Sequence, residues 1–195
     1  MAKKLKIEDE VYGKMTLIDE EYWRLDNKID INLNGTVHQV KVEIEIYDDT
    51  YIRYEYNLMP EPVKRFYDEH PEEIEKEEAI EANHRQKELF QKLIIDNINI
   101  VEKNMEEAAL RKREEMMENQ TEESFARILG KDKAKRVFAA KTREEKLESI
   151  QLKRMRVMQD CIEITCTCDW FSPSSGFSIF PDLGVEMLYV DCMSI

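Results

Sequence analysis

The sequence predicts an α+β protein, in which an antiparallel sheet built from N- and C-terminal strands is covered on one side by a long helical middle segment. Apolar and polar residues alternate over 28–46 and again over 162–170, which is the period of a half-buried strand. Between these regions the chain is rich in Glu, Lys, Gln, Ala, Leu and Met, the strong helix formers.

These patterns predict a single domain over residues 1–195. Within it we expect N-terminal strands over 1–58, a helical insert over 59–158 and C-terminal strands over 159–195. Because either set of strands alone would expose an apolar face, and two strands are only marginally stable in water, we predict that strands near both termini share one sheet.

The N-terminal strands begin with a short extended run at 14–18. Alternation over 28–33 leads into Asn34-Gly35, the dipeptide preferred in tight hairpin turns. Alternation then resumes over 40–46, where Val and Ile alternate with Lys and Glu, so these two runs predict a hairpin with one apolar face. The tyrosine-rich stretch 47–56 fits either a strand or the transition to the helices.

The helical middle begins with a short predicted helix over 60–67, which Pro71 ends, since a proline disfavours helical geometry in the residue before it. A longer helical run covers 72–118. Its apolar stripe recurs at steps of three and four residues: Phe90, Ile94, Ile98, Val101, Met105 and Ala109. The sequence Asp-Asn-Ile-Asn-Ile at 96–100 is its weakest point and a candidate break.

Two capping signals mark further helices. Thr121 is placed to start one that ends at Gly130, a common C-terminal stop. Thr142 and Glu145 form a Thr-x-x-Glu capping box, which predicts a helix to about Met158. The C-terminal strands then cover 162–170, 177–180 and 185–190, with turn residues at 172–176 and 181–184.

The net charge of −13 and the pI of about 4.8 disfavour nucleic acid and anionic membranes as partners, because phosphate groups repel an acidic protein. No run of 18 apolar residues exists to span a membrane, and the N-terminal lysines are followed by no apolar stretch of a signal peptide. We therefore expect a cytoplasmic protein without a membrane partner.

Four cysteines lie near the end of the chain, at Cys161, Cys166, Cys168 and Cys192. On a strand, Cys166 and Cys168 share a face with Trp170, while Cys161 faces the other way. We predict free thiols that pack in the core. Metal binding and redox chemistry are alternatives, although no second pair with zinc-ligand spacing follows.

Catalytic signatures are missing from the sequence, which lacks Gly-x-Ser-x-Gly, His-Glu-x-x-His and a phosphate-binding glycine loop. We therefore predict that the protein is not an enzyme, with no catalytic or metal-binding residue and no cofactor. The alternative is a metal-dependent enzyme that uses helix carboxylates and His84, because Glu81-x-x-His84 is half of a di-iron motif.

The segment 131–156 is basic, with ten Lys and Arg against four Asp and Glu. It is a candidate phosphate-binding surface. No aromatic residues are interleaved with the basic ones as a single-strand platform requires, so we predict instead that it pairs with the protein's own acidic helices.

The terminal regions resemble certain small bacterial domains of unknown function, some of which occur beside polymorphic toxins and are thought to be immunity proteins. The resemblance rests on four terminal motifs: Tyr12-Gly13-Lys14 with Tyr22-Trp23, the strand Val40–Ile46, Cys168-Asp-Trp170, and Gly176-Phe-Ser-Ile179. The chain departs from the pattern in its long central insert and in lacking a histidine before the closing glycine. The resemblance supplies no catalytic residue.

Together these observations predict a non-enzymatic protein-binding module of the immunity type, which inhibits a bacterial toxin or effector. The partner expected is another protein, and a basic one suits the charge. An alternative is a phage or plasmid counter-defence inhibitor. The candidate partner-binding residues are the glutamates that open the long helix: Glu72, Glu73, Glu75, Glu77 and Glu78.

Overall fold

A computed structural model of the chain describes residues 5–18, 22–45, 61–62, 64–65, 71–118, 120–171 and 174–189, with only the backbone described over 71–80. The strands before the helical segment are β1 Lys6–Asp9, β2 Gly13–Leu17, β3 Tyr22–Leu25, β4 Ile29–Leu33 and β5 Thr36–Glu45. Those after it are β6 Gln151–Val157, β7 Ile162–Thr167, β8 Ser175–Ile179 and β9 Val185–Tyr189.

The helices of the described residues all lie between β5 and β6. They are α1 Pro71–Phe90, α2 Ile98–Met117, α3 Glu122–Leu129, α4 Lys131–Ala139 and α5 Arg143–Leu147, with a π-helical turn at Gln91–Asp96 between α1 and α2. The predicted α+β class and the helical middle are therefore confirmed. The stretch 47–56, Ile46 and most of the predicted helix over 60–67 lie outside the described residues.

One mixed sheet contains strands from both ends of the chain, in the order β1-β2-β3-β5-β6-β7-β8-β9, with β4 paired to β5. Neighbouring strands are antiparallel except β5 and β6, which are parallel. The parallel pair joins the two halves, because a chain that leaves β5 and crosses through helices returns in the same direction. The prediction that strands near both termini share one sheet is confirmed.

The β4–β5 hairpin turns at Asn34 and Gly35, which have φ angles of 54° and 73°. A two-residue turn with positive φ at both positions follows the right-handed twist of its strands. Two glutamates of helix α2 bind the backbone of this hairpin. Glu102 Oε1 accepts the N–H of Asn32 at 2.6 Å, and Glu106 Oε1 accepts the N–H of Asn34 at 2.7 Å.

The predicted break in the long helix is confirmed at Asn97, whose φ of −128° and ψ of 23° lie outside the helical region. Its side chain donates to the carbonyl of Lys92 at 2.6 Å. Five residues of the predicted stripe are buried and Ile98 packs against them. Pro71 begins α1, a position where its missing N–H costs nothing, and the predicted end of the preceding helix lies outside the described residues.

The predicted helix over 142–158 is wrong in its second half. Thr142 and Glu145 do form the capping box, but α5 ends at Leu147 and 151–157 is strand β6. Lys, Arg, Gln, Leu and Met favour a helix locally. Pairing with β5 and β7 overrides that preference, because it buries Met155 and Val157 completely.

Helices and sheet share one core, in which apolar residues from one sheet face meet the stripe of α1 and α2. A buried glutamine connects α1 to the end of the parallel strand pair. Gln86 Nε2 donates to the carbonyls of Glu45 at 3.1 Å and Val157 at 2.9 Å. The Tyr12 hydroxyl donates to Gln86 Oε1 at 3.1 Å, so α1 is fixed against both halves of the sheet.

Candidate functional site

Two of the C-terminal cysteines, Cys166 and Cys168, are buried in the core, whereas Cys161 is only half-buried. All three are free thiols. Burial raises the pKa of Cys166 to about 12 and that of Cys161 to about 11, so neither thiol is a ready thiolate nucleophile at neutral pH. Cys192 lies outside the described residues. Within the part of the chain that the structure describes, no group of three metal-ligating side chains comes together.

The half-motif Glu81-x-x-His84 lies on the exposed side of α1. His84 Nε2 is 3.2 Å from Glu88, and Glu81 is 3.4 Å from Arg85. Each residue is thus paired along its own helix. The structure places no second Glu-x-x-His helix against this pair among the described residues.

Among the described residues, five of the ten basic residues in segment 131–156 contact acidic residues of the same protein, so the predicted internal pairing holds for half of them. Arg143 contacts Glu106 at 2.7 Å on α2, and Arg154 contacts Glu43 at 3.3 Å on β5. The acidic partners lie on the sheet and its loops as well as on the helices. Other pairs of this kind are Lys146–Glu114, Lys133–Asp169 and Arg136–Asp169.

The predicted partner-binding glutamates belong to the first two turns of α1. The side chains of Glu72, Glu73, Glu75, Glu77 and Glu78 lie outside the described residues. Helix α1 as a whole contains seven glutamates against three basic residues. It is therefore an acidic element.

A cavity of about 500 Å³ opens between α2, α4, α5 and the segment after β7; we call it the α2/α4 pocket. Its apolar lining comes from α4 and from Trp170. Its charged lining includes Arg113 on α2, Arg136 on α4, Lys146 on α5 and Asp169 after β7. Four separate elements thus bring opposite charges to one concave surface.

Asp169 is already neutralised. Arg136 donates two hydrogen bonds to its Oδ2, at 2.7 and 3.2 Å, and Lys133 lies 3.5 Å from Oδ1. Burial opposes ionisation of this carboxyl, but the hydrogen bond and charge of Arg136, aided by Lys133, outweigh it and hold the pKa of Asp169 below its usual value. Glu145 is also engaged, because it accepts the N–H groups of Lys141 and Thr142.

Arg113 differs from the other pocket cations. It is only 6% exposed, and it donates to the carbonyl of Val137, which ties α2 to α4. Its Nε has no hydrogen-bond partner, and neither does Nε1 of Trp170, which is 2% exposed. Among the described residues no carboxylate forms an ion pair with Arg113, and burial lowers its pKa.

Sequence reasoning did not identify this pocket, although a signal existed. Position 113 follows Ala109 by four residues, so it continues the apolar stripe of α2 with an arginine. A cation at a core position is the kind of local conflict that accompanies a functional or strained site. Trp170 and the α4 residues carried no comparable signal, because only the tertiary fold brings them to Arg113.

Searches of protein-family models, of curated proteins and of solved structures each return no match for the chain. Within the described part of the chain, no helix has both the length and the apolar character that a membrane crossing requires.

Proposed function

We propose that this chain is a non-enzymatic protein-binding module, of the kind that inhibits a bacterial toxin or effector, and that acidic helix α1 attracts a basic partner. The observation that supports it is the distribution of the ion pairs. Five of the ten basic residues in the main basic segment, 131–156, are paired within the described part of the protein, and the surplus negative charge of the chain lies outside that segment.

Several acidic residues of α2 are used in holding the fold. Glu102 and Glu106 anchor the β4–β5 hairpin, and Glu106 also pairs with Arg143. In the described half of α1, by contrast, Glu81 and Glu88 have side chains that are 73% and 66% exposed. Helical geometry puts Glu77 and Glu73 one and two turns before Glu81.

Acidic charge at the start of a helix is also favourable for the helix itself, because it meets the positive end of the helix dipole. That effect does not require the like-charged pair Glu73 and Glu77, which are four residues apart and cost a few tenths of a kcal/mol in repulsion. A binding role gives a reason for this density of charge, since complementary fields accelerate association.

The test begins with affinity capture from the source cells, followed by growth assays. A captured protein should form a one-to-one complex, arrest growth when expressed alone in a second host, and become harmless when this chain is co-expressed. Failure to recover a stoichiometric partner would contradict the binding role. A partner that binds but is harmless would contradict the inhibitor role alone.

The role of α1 is tested by the variant Glu73→Lys/Glu77→Lys/Glu78→Lys. We expect its association rate with the captured partner to fall about tenfold or more at low ionic strength, and the deficit to shrink as salt screens the field. The matched control is Glu107→Lys/Glu115→Lys/Glu123→Lys, which changes the net charge equally at exposed positions on α2 and α3. Equal rates for the two variants would show that only net charge matters.

A further inference from the structure

We propose that the α2/α4 pocket binds a small organic acid, whose carboxylate pairs with Arg113 and whose apolar body lies against Val137 and Trp170. The pocket is separate from the acidic helix to which we assign partner binding, so the two proposals fail or succeed independently.

The first argument is the charge of the pocket. Three carboxylates line the pocket. Asp169 is held by Arg136 and Lys133, Glu145 caps α5, and Glu148 is exposed at the rim. Lys146 has only a long contact of 3.8 Å to Glu114. Among the described residues Arg113 forms no close ion pair, and the more distant charge of Glu114 only partly offsets its burial. A buried arginine is normally paired, because desolvating an isolated charge is costly.

The second argument is hydrogen bonding. Buried polar atoms nearly always have a partner, so each exception needs a reason. Two exceptions, Nε of Arg113 and Nε1 of Trp170, belong to side chains that line the same cavity. Both are donors, and a carboxylate offers only acceptors. Neither atom has accessible surface in the structure, so a small shift of either side chain toward the cavity is needed before an acceptor can reach it. The charge of Arg113 favours an anionic acceptor over a neutral one, whereas a cation or a neutral donor satisfies neither group.

The third argument is shape. A cavity of about 500 Å³ lies within the usual size range of small-molecule sites, which combine an apolar lining with a few polar groups that fix orientation. The walls provided by Val137, Ala139, Ala140 and Trp170 favour an acid that carries an apolar group over a bare inorganic ion.

The experiment uses the fluorescence of Trp170 as a direct reporter. The chain contains two tryptophans, so the Trp23→Phe variant leaves Trp170 as the only one. This protein is titrated at constant ionic strength with benzoate, inorganic phosphate and benzyl alcohol. We expect a saturable change with benzoate only. Saturation by phosphate but not benzoate, an equal response to benzyl alcohol, or no saturation at all would overturn the proposal.

Substitutions then test the assigned contact. In the same background, Arg113→Met should weaken benzoate binding about tenfold or more, the usual loss for a charge-assisted hydrogen bond. Arg113→Lys should lose less, because the charge remains. The control is Arg111→Met on the same helix, which lies away from the pocket near Val185 and should bind normally.

Should Arg113→Met fail to fold, Lys146→Met tests the cationic side of the pocket. The Lys146 side chain is 25% exposed at the edge of the pocket, and its removal should weaken benzoate binding several-fold. Unchanged affinity in a folded Arg113 variant would show that Arg113 serves only to tie α2 to α4. Where the Arg113 variants do not fold, unchanged affinity in Lys146→Met would show that the cationic side of the pocket does not hold the carboxylate, and would overturn the proposal.

Discussion

The two faces of the central sheet are built on different principles. On the face toward the helices, Val40 and Val42 of β5 and Ile162 and Ile164 of β7 belong to one apolar core, and all four are fully buried. On the opposite face, Glu43 is nevertheless only 4% exposed. Burial on the first face is apolar and non-directional, whereas burial of Glu43 depends on specific partners.

Those partners come from both sides of β5. Arg24 of β3 contacts Glu43 at 2.6 Å and Arg154 of β6 contacts it at 3.3 Å. The triad therefore spans three neighbouring strands at the place where the N-terminal and C-terminal halves of the sheet meet. The apolar face supplies most of the stability, and the ionic face links specific strands across the parallel junction.

Deletion of residues 160–195 should have the largest effect. It removes β7, β8 and β9 and exposes the apolar residues of β6 and the helices that these strands cover. We expect the N-terminal strands to unfold as well, because both halves share one core. Circular dichroism and thermal melting measure this directly, and a cooperative β-rich transition in the truncated protein would mean that the N-terminal half is stable alone.

The apolar face could be predicted from the sequence far better than the ionic one. Alternation of apolar and charged residues identified β5 and β7, Asn34-Gly35 identified the hairpin, and the capping threonines identified two helix starts. Alternation says which side of a strand is apolar, but not what covers the other side. The burial of Glu43 was therefore missed, as was β6, whose residues favour a helix in isolation.

The candidate site is harder to predict from the sequence than the fold is. Acidic helix α1 is a property of consecutive residues and was recognised as such. The α2/α4 pocket depends on contacts between Arg113, the α4 residues and Trp170, which are far apart in the chain. The sequence also predicts a helix over 148–158, whereas α5 ends at Leu147 beside the pocket. This wrong prediction leaves no sign of a cavity there.

The Glu43→Ala substitution should have the next largest effect. It removes the carboxylate between Arg24 and Arg154, whose side chains keep 40% and 30% exposure to water. We expect the free energy of unfolding to fall by about 1–3 kcal/mol, less than for a fully buried pair, because water partly solvates the remaining charges. Urea denaturation measures the loss.

The control for Glu43 is Lys41→Ala, an exposed position on the same strand and the same face. Exposed substitutions of this kind change stability by about 0.5 kcal/mol or less. If both variants lose the same amount, the triad contributes nothing beyond the general preference of β5 for its residues, and the distinction drawn between the two faces fails.

The smallest effect is expected at His38, a titratable group on the apolar face. His38 is 8% exposed and lies two positions before Val40 on β5. Burial, together with the charge of Lys153, lowers the pKa of His38 below its usual value. In the unfolded chain the pKa of histidine is about 6.5, so the unfolded state takes up a proton at higher pH than the folded one does.

The sign follows from this difference in proton uptake. The stability that neutral His38 contributes is complete above about pH 6.5 and is lost as the pH falls toward the lower pKa of the folded state. The His38→Gln variant should therefore show a smaller drop in melting temperature between pH 7 and pH 5 than the wild type. Asp9 and Asp169, whose pKa values are lowered, lose their contribution only at more acidic pH.

Lys153→Met should also reduce the drop, because it removes the repulsion that opposes protonation of His38. Parallel melting curves for wild type and both variants over this range would mean that His38 takes up its proton equally well in the folded protein.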